Sequence, residues 1–124
     1  MDHTRHIGIY NAADCSVTLI GAGGIGAVTG LVLAKMGIGW MVVYDDDVVS
    51  PVNLATQFYP MHSLGGLKSL ELRRLVRDFS DDVEISGGAQ RWDATFLAET
   101  GIVISAVDSI CSRKSIWESL RFDG

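Results

Sequence analysis

Apolar and polar positions fall along this chain in blocks whose lengths and periods differ. Residues 17–20 and 40–44 are short, nearly continuous apolar runs bounded by glycine or acidic residues. Such runs predict strands buried on both faces of a parallel sheet. Residues 83–86 and 102–107 read as a third and a fourth strand, the last closed by Asp108. Residues 24–36 read as a helix: Ile25, Val28, Leu31, Val32 and Lys35 recur at three- and four-residue steps. Ala27, Gly30 and Ala34 are small enough for close approach to a sheet. Gly37 and Gly39 end that helix. Residues 67–79 read as a second helix, with Leu67, Leu70, Leu72, Leu75, Val76 and Phe79 apolar and Arg73, Arg74 and Arg77 outward. Residues 112–121 start a last helix with Trp117 and Leu120 on one side, and residues 96–99 suggest a helical turn. Residues 1–14 are polar and irregular, and residues 45–63, with Pro51 and Pro60, read as a long loop of the kind that is often functional.

The order β-α-β-loop-α-β-turn-β-α predicts one α/β domain over residues 1–124, a three-layer Rossmann-like fold with a mostly parallel sheet and right-handed crossovers. Ligands of such sheets bind at the C-terminal ends of the strands. Three features fall at such ends: a glycine turn, Asp45 and Asp108. Gly21, Gly23 and Gly26 have G-x-G-x-x-G spacing directly after the first strand and open the first helix. The first glycine permits the tight turn, the second lets backbone approach a pyrophosphate, and the third lets helix pack on strand. The helix N-terminus then offers N–H donors to phosphate. Asp45 lies 19 residues past Gly26, near the distance of a carboxylate that accepts from ribose hydroxyls.

Composition narrows the function. The 124 residues are 48% hydrophobic and 20% charged, an ordinary globular balance. A net charge of −5 argues against nucleic acid or an anionic membrane as partner. No apolar run reaches the length of a membrane span, and no secretory leader is apparent. Cys15 and Cys111 form neither a C-x-x-C pair nor a metal set, which fits reduced thiols in the cytoplasm. His3, His6 and His62 lack ligand spacing.

A second constellation follows the glycine turn. It reads Asp45-Asp-Asp47-Val-Val-Ser-Pro-Val-Asn53-Leu54-Ala-Thr56-Gln57, then Gly65-Gly-Leu-Lys68, then Ser105-Ala-Val-Asp108 with Arg113 five residues on. With Gly21-Ala-Gly23-Gly24-Ile-Gly26, these four ordered motifs resemble the ThiF/MoeB/HesA family, the adenylating domain of ubiquitin-like protein activating enzymes. The family pattern is G-x-G-G-x-G, D-x-D-x-V-x-x-x-N-L-x-R-Q, G-x-x-K and T-D-N, and the match covers residues 17–121.

The resemblance implies a set of roles. Gly21, Gly23, Gly24 and Gly26 would cradle ATP, and Asp45 would hold its ribose. Asp47 would be the second acid of its motif, and Asn53 and Gln57 would lie near the phosphates. Lys68 would contact the phosphates, and Asp108 would help hold Mg2+. Arg5, in Arg5-His-Ile-Gly-Ile9, resembles the arm arginine that reaches a partner subunit's ATP. The implied partner is the C-terminus of a ubiquitin-like carrier protein or peptide, and the implied assembly is a homodimer or heterodimer. An unfinished sheet edge and an apolar face also favour pairing.

Two departures stand out. The family arginine of N-L-x-R-Q is Thr56 here, and a hydroxyl cannot supply a guanidinium's charge and fork. The family also continues beyond residue 121, so the domain is expected to be truncated at its C-terminus. A non-catalytic partner of an active homologue and an NAD-dependent oxidoreductase domain are the competing expectations. The second rests on the glycine turn alone.

Overall fold

The computed structural model describes residues 11–88, 100–107 and 110–120. Its elements are β1 (Ser16–Ile20), α1 (Gly24–Met36), β2 (Trp40–Tyr44), α2 (Pro51–Thr56), α3 (Lys68–Phe79), β3 (Glu84–Gly88), β4 (Ile102–Ser105) and α4 (Ile110–Leu120). Short 3-10 turns occupy Ala12–Asp14 and Met61–Ser63. The sheet order is β3-β2-β1-β4, and every pairing is parallel. The chain therefore builds outward from β1 in one direction, then crosses back to place β4 on the other side of β1. That reversal is the topological switch at which such sheets bind ligands.

The expected fold class is present. Val17 and Leu19 of β1, Met41 and Val43 of β2 and Ile85 of β3 form one core with Ala27, Leu31 and Ala34 of α1 and Leu72, Leu75 and Val76 of α3. On the opposite face, Val103 and Ser105 of β4 line a cavity with Arg113, Ile116, Trp117 and Leu120 of α4. Helices thus cover both faces.

Four expectations change. The segment 45–63 is not a loop throughout, because it contains α2. Pro51 opens α2, Ser50 precedes it, and the Asn53 side chain accepts from the Ser50 N–H at 2.9 Å and hydroxyl at 3.0 Å. A proline at the first helical position after a serine favours a helix start. The second change concerns α1. The positions that follow helical steps, Ile25, Val28 and Val32, are exposed, whereas Gly26, Ala27, Gly30, Leu31 and Ala34 are buried. Close approach decides the face: a Cβ on Gly30 would lie 3.2 Å from Leu72 and 3.4 Å from Leu19, so only the small-residue side fits between the sheet and α3. Third, Phe79, counted on the apolar side of its helix, is 40% exposed. Finally, β4 stops at Ser105, short of residue 107. Arg73, Arg74 and Arg77 do face outward. The suggested turn at residues 96–99 lies outside the described residues.

Candidate nucleotide site

The glycine turn sits where β1 meets α1. Gly21 adopts φ +100°, and a Cβ there would come within 2.8 Å of the Ala106 carbonyl oxygen after β4. A Cβ on Gly26 would overlap the Gly21 carbonyl. These two glycines are therefore demanded by geometry, as the spacing implied. The turn is tied to its neighbours by Gly21 N–H donating to the Tyr44 carbonyl at 2.9 Å and Ala106 N–H to the Ile20 carbonyl at 2.8 Å.

The opening N–H groups of α1 have no intrahelical acceptor. Among the described residues no side chain caps them, and the first turn carries no acid. Gly24 and Ile25 are exposed. This end of α1 therefore presents donors and a partial positive charge to solvent, an environment that favours an anion. Beside it lies Gln57, whose Nε2 is 3.4 Å from where a Gly23 Cβ would stand. The Gln57 Oε1 is buried and has no hydrogen-bond partner among the described residues. A buried amide oxygen is costly to leave unmatched, so beside the glycine turn Gln57 carries an acceptor that the described residues do not use.

Asp45 and Asp47 have different surroundings. The Asp45 carboxylate accepts from the Ala22 N–H at 2.7 Å through one oxygen and from the Asp47 N–H at 2.8 Å through the other. It ties the glycine turn to the segment after β2, and each oxygen retains a lone pair for a further donor. Asp47 accepts from the Val48 N–H at 3.0 Å and from the Lys68 ammonium at 3.0 Å. The Lys68 hydrogen bond, helped by the Val48 N–H, holds the Asp47 carboxyl below its ordinary value despite slight desolvation.

Lys68 is the first residue of α3 and is buried: its side chain is 6% exposed, against 67% for Asp47. Its N–H also donates to the Asp47 carbonyl at 3.0 Å. A lysine at a helix N-terminus opposes the helix dipole, and here the Asp47 pairing offsets that. Asn53 uses its side-chain oxygen to cap α2. Thr56, where the family has arginine, is exposed, and its hydroxyl donates back to the Val52 carbonyl at 3.0 Å. The structure thus brings Gly21, Gly23, Gly24, Gly26 and Gln57 together. Asp45 ties this turn to the segment that carries Asp47 and, paired with it, Lys68. Arg5 and Asp108 lie outside the described residues. Arg113 is described: its Nε donates to the Val107 carbonyl at 2.7 Å.

Two supporting residues escaped the sequence reading. Tyr59 is buried, and its hydroxyl donates to the Ala22 carbonyl and lies 3.3 Å from the Lys68 carbonyl. Burial, then the nearby carboxylates Asp45 and Glu71, pushes this phenol's pKa upward. Glu71, 3% exposed, accepts from the Ser63 hydroxyl at 2.9 Å and from Arg74 at 2.5 Å, which pins the Met61–Ser63 turn onto α3. Glu71 was detectable in principle, because an acid one helical turn after Lys68 and one before Leu75 falls on the apolar stripe of α3.

Among the described residues, no group of three or more His, Cys, Asp or Glu side chains is placed to hold a metal ion. No helix among them is long and apolar enough to cross a membrane. Cys15 is an exposed free thiol.

Comparison with known proteins bears on the family and the fold. The model of the ThiF family matches residues 4–119. The chain is 33% identical to the SAMP-activating enzyme E1 of Haloferax volcanii over 129 aligned positions, covering all of this chain and 48% of that protein. It is 29% identical to the sulfur carrier protein ThiS adenylyltransferase of Escherichia coli, covering 83% of this chain and 43% of the relative. It therefore spans about half the length of these curated relatives or less. Among solved structures, it superposes on Escherichia coli MccB with ATP at a TM-score of 0.83 and 22% identity, over 90% of this chain and 35% of MccB. It matches the tRNA N6-threonylcarbamoyladenosine dehydratase TcdA of the same organism, in complex with AMP, at 0.81 and 22%, over 90% of this chain and 49% of that one. These likenesses carry the fold; the family match over residues 4–119 carries the assignment. The chain belongs to the ThiF family.

Proposed function

We propose that this chain binds ATP with Mg2+ as the nucleotide-binding part of an adenylyltransferase that activates the C-terminal carboxylate of a ubiquitin-like carrier protein or peptide. A carboxylate oxygen of the carrier attacks the α-phosphorus, the bond from that phosphorus to the β-phosphate bridge oxygen breaks, and pyrophosphate leaves. The carboxylate is already ionised, so no general base is needed. The protein's task is alignment and charge neutralisation.

The observation that carries this reading is the start of α1, which no described side chain caps, beside the Gln57 amide and in the same framework as a buried lysine. The α1 N–H groups and the Gln57 Nε2 donors face the phosphates, the Gln57 Oε1 is left to accept from a nucleotide hydroxyl or amine, Lys68 contributes positive charge, and Asp45 accepts from ribose. Asn53 contributes its remaining side-chain N–H donors. Lys68 reaches phosphate by exchanging Asp47 for a stronger anionic partner, with Asp47 held beside it. Asp108 supplies the carboxylate for Mg2+, which would neutralise the departing pyrophosphate. Arg5 completes a partner's site, and the active species is a homodimer or heterodimer. The apolar stripe Ile25, Val28, Val32 and Met36 on the outer side of α1 is the surface we assign to pairing. Free Cys15 and the separation of the two cysteines suit the cytoplasm.

Calorimetric titration of the chain with ATP·Mg2+ and, separately, NAD, repeated on Asp45→Ala, tests the reading. ATP binding that the substitution weakens supports it and leads to ATP–pyrophosphate exchange with candidate carriers. NAD binding without ATP binding overturns it.

One observation favours a second reading, a non-catalytic member that pairs with an active homologue. The Thr56 hydroxyl is turned back onto α2, so the family cation has no substitute at that position. ATP binding without pyrophosphate exchange, with exchange gained in Thr56→Arg, selects this reading.

A further inference from the structure

We infer that Tyr59 is a positioning residue of the nucleotide site, one that couples the glycine turn to the helix carrying Lys68; the inference rests on the ATP reading above. The two adjacent aromatics are treated oppositely: Phe58 is 56% exposed, whereas Tyr59 is 5% exposed. Burying a phenol requires a partner for its hydroxyl. Tyr59 finds it in the glycine turn, where the hydroxyl donates to the Ala22 carbonyl. On the other side of that residue, the Ala22 N–H donates to Asp45 at 2.7 Å. Both backbone polar groups of Ala22, the residue between the first two motif glycines, are thus held by side chains from the segment after β2. Ala22 itself is fully buried and has no side chain that could fix the turn by polar contact.

The same hydroxyl lies 3.3 Å from the Lys68 carbonyl. One phenol proton serves both carbonyls, with Ala22 the nearer acceptor. Lys68 is further held at its N–H by the Asp47 carbonyl and at its ammonium by the Asp47 carboxylate. The turn that donates N–H groups and the lysine that supplies charge come from separate elements, β1–α1 and α3. Tyr59 is the buried side chain that touches the backbone of both. Fixing the spacing of two phosphate-binding elements is worth affinity because the ligand then orders neither of them.

Tyr59→Phe in the full chain removes the hydroxyl and keeps the ring. The expected result is ATP·Mg2+ affinity lowered about tenfold, the size of one hydrogen bond. Adenosine affinity, followed by amide chemical shifts, is expected to be unchanged. Amide exchange is expected to quicken both in the glycine turn and in the first turn of α3. Val83→Ala, a core truncation in the α3–β3 connection, serves as the control for general loss of stability and is expected to retain ATP affinity. Equal loss of ATP and adenosine binding, or loss of neither, overturns the positioning role while leaving the ATP reading intact. Failure of the wild-type chain to bind ATP overturns the ATP reading and this inference with it. Should Tyr59→Phe not fold, the wild-type chain still decides the matter. The buried Tyr59 hydroxyl proton should shift on adding ATP and not on adding adenosine, and a signal unmoved by ATP overturns the inference.

Discussion

The two helices packed on the same face of the sheet, α1 and α3, are built on opposite plans. α1 is apolar nearly all round, packs through Gly26, Ala27, Gly30 and Ala34, and leaves Ile25, Val28, Val32 and Met36 outside. α3 is strongly amphipathic, packs through Leu72, Leu75 and Val76, and turns Arg73, Arg74 and Arg77 to solvent. Their N-termini differ in the same way. Among the described residues the start of α1 has no capping side chain, and its first turn carries no acid. The start of α3 holds a buried lysine against Asp47 and has Glu71 in its first turn. An uncapped helix start attracts anions, whereas the start of α3 is organised to keep a cation in place. The difference assigns separate duties: α1 supplies donors at a close-packed turn, and α3 supplies one positioned charge.

The largest effect should come from breaking the turn that opens α1. Gly26→Ala drives a Cβ into the Gly21 carbonyl and should cost about 3 kcal/mol, the upper range for overpacking, with ATP binding lost. Leu72→Ala, in the packed face of α3, should cost a similar ~3 kcal/mol through its cavity yet leave ATP affinity within a few-fold. Urea unfolding and calorimetry on both variants separate the two duties. Equal effects on binding would erase the distinction drawn between the helices.

Lys68→Ala comes next. Losing a charge-assisted contact should weaken ATP about 100-fold, while stability moves far less than in Leu72→Ala. An unchanged dissociation constant would remove α3 from the site.

Asp47→Asn sharpens the same point through pH. The folded-state pKa of Asp47 is lowered, chiefly by Lys68. Its contribution to stability is therefore fully present above the ordinary carboxylate pKa of the unfolded chain and is lost as pH falls through the lower folded value. Because Asp47 is largely exposed, solvent screening keeps the effect to roughly 0.5 kcal/mol. Wild type should exceed Asp47→Asn at pH 6, and the gap should close below about pH 4, the ordinary carboxylate value. A gap that widens on acidification would contradict the pairing.

The smallest effect on stability concerns the outer stripe of α1. Val28→Ser with Val32→Ser should change the unfolding free energy by less than about 0.5 kcal/mol, as exposed positions do. The pair should shift sedimentation from dimer to monomer. A wild-type chain that is already a monomer at micromolar concentration would leave the stripe without the role proposed for it.

Much of this was legible in the sequence because the strands are short apolar runs and the glycines have fixed spacing. Gly21 and Gly26 stand where that spacing put them, since backbone overlap leaves no other residue room. The facing of α1 was legible only in part: Ala27, Gly30 and Ala34 marked the side that allows close packing, but a helix apolar on all sides gave Ile25, Val28 and Val32 no sign of exposure, and closeness to Leu19 and Leu72 selected the small residues. α2 was hidden by its six-residue length, although Ser50 before Pro51 was a usable cue. Tyr59 carried no local signal, because its partners Ala22 and Lys68 become neighbours only once β1, β2 and α3 are assembled. Arg5 and Asp108 lie outside the described residues, and their roles stand as part of the proposal.

The central claim is that the α1 turn and the α3 lysine serve one nucleotide. Calorimetric titration of ATP·Mg2+ into wild type, Lys68→Ala, Gln57→Ala and the double variant tests it most directly. The account predicts ATP binding in wild type, weakening in each single variant, and a double variant whose loss departs from the sum of the two, as for residues sharing one ligand. ATP binding that neither substitution changes, or NAD bound in place of ATP, would contradict it.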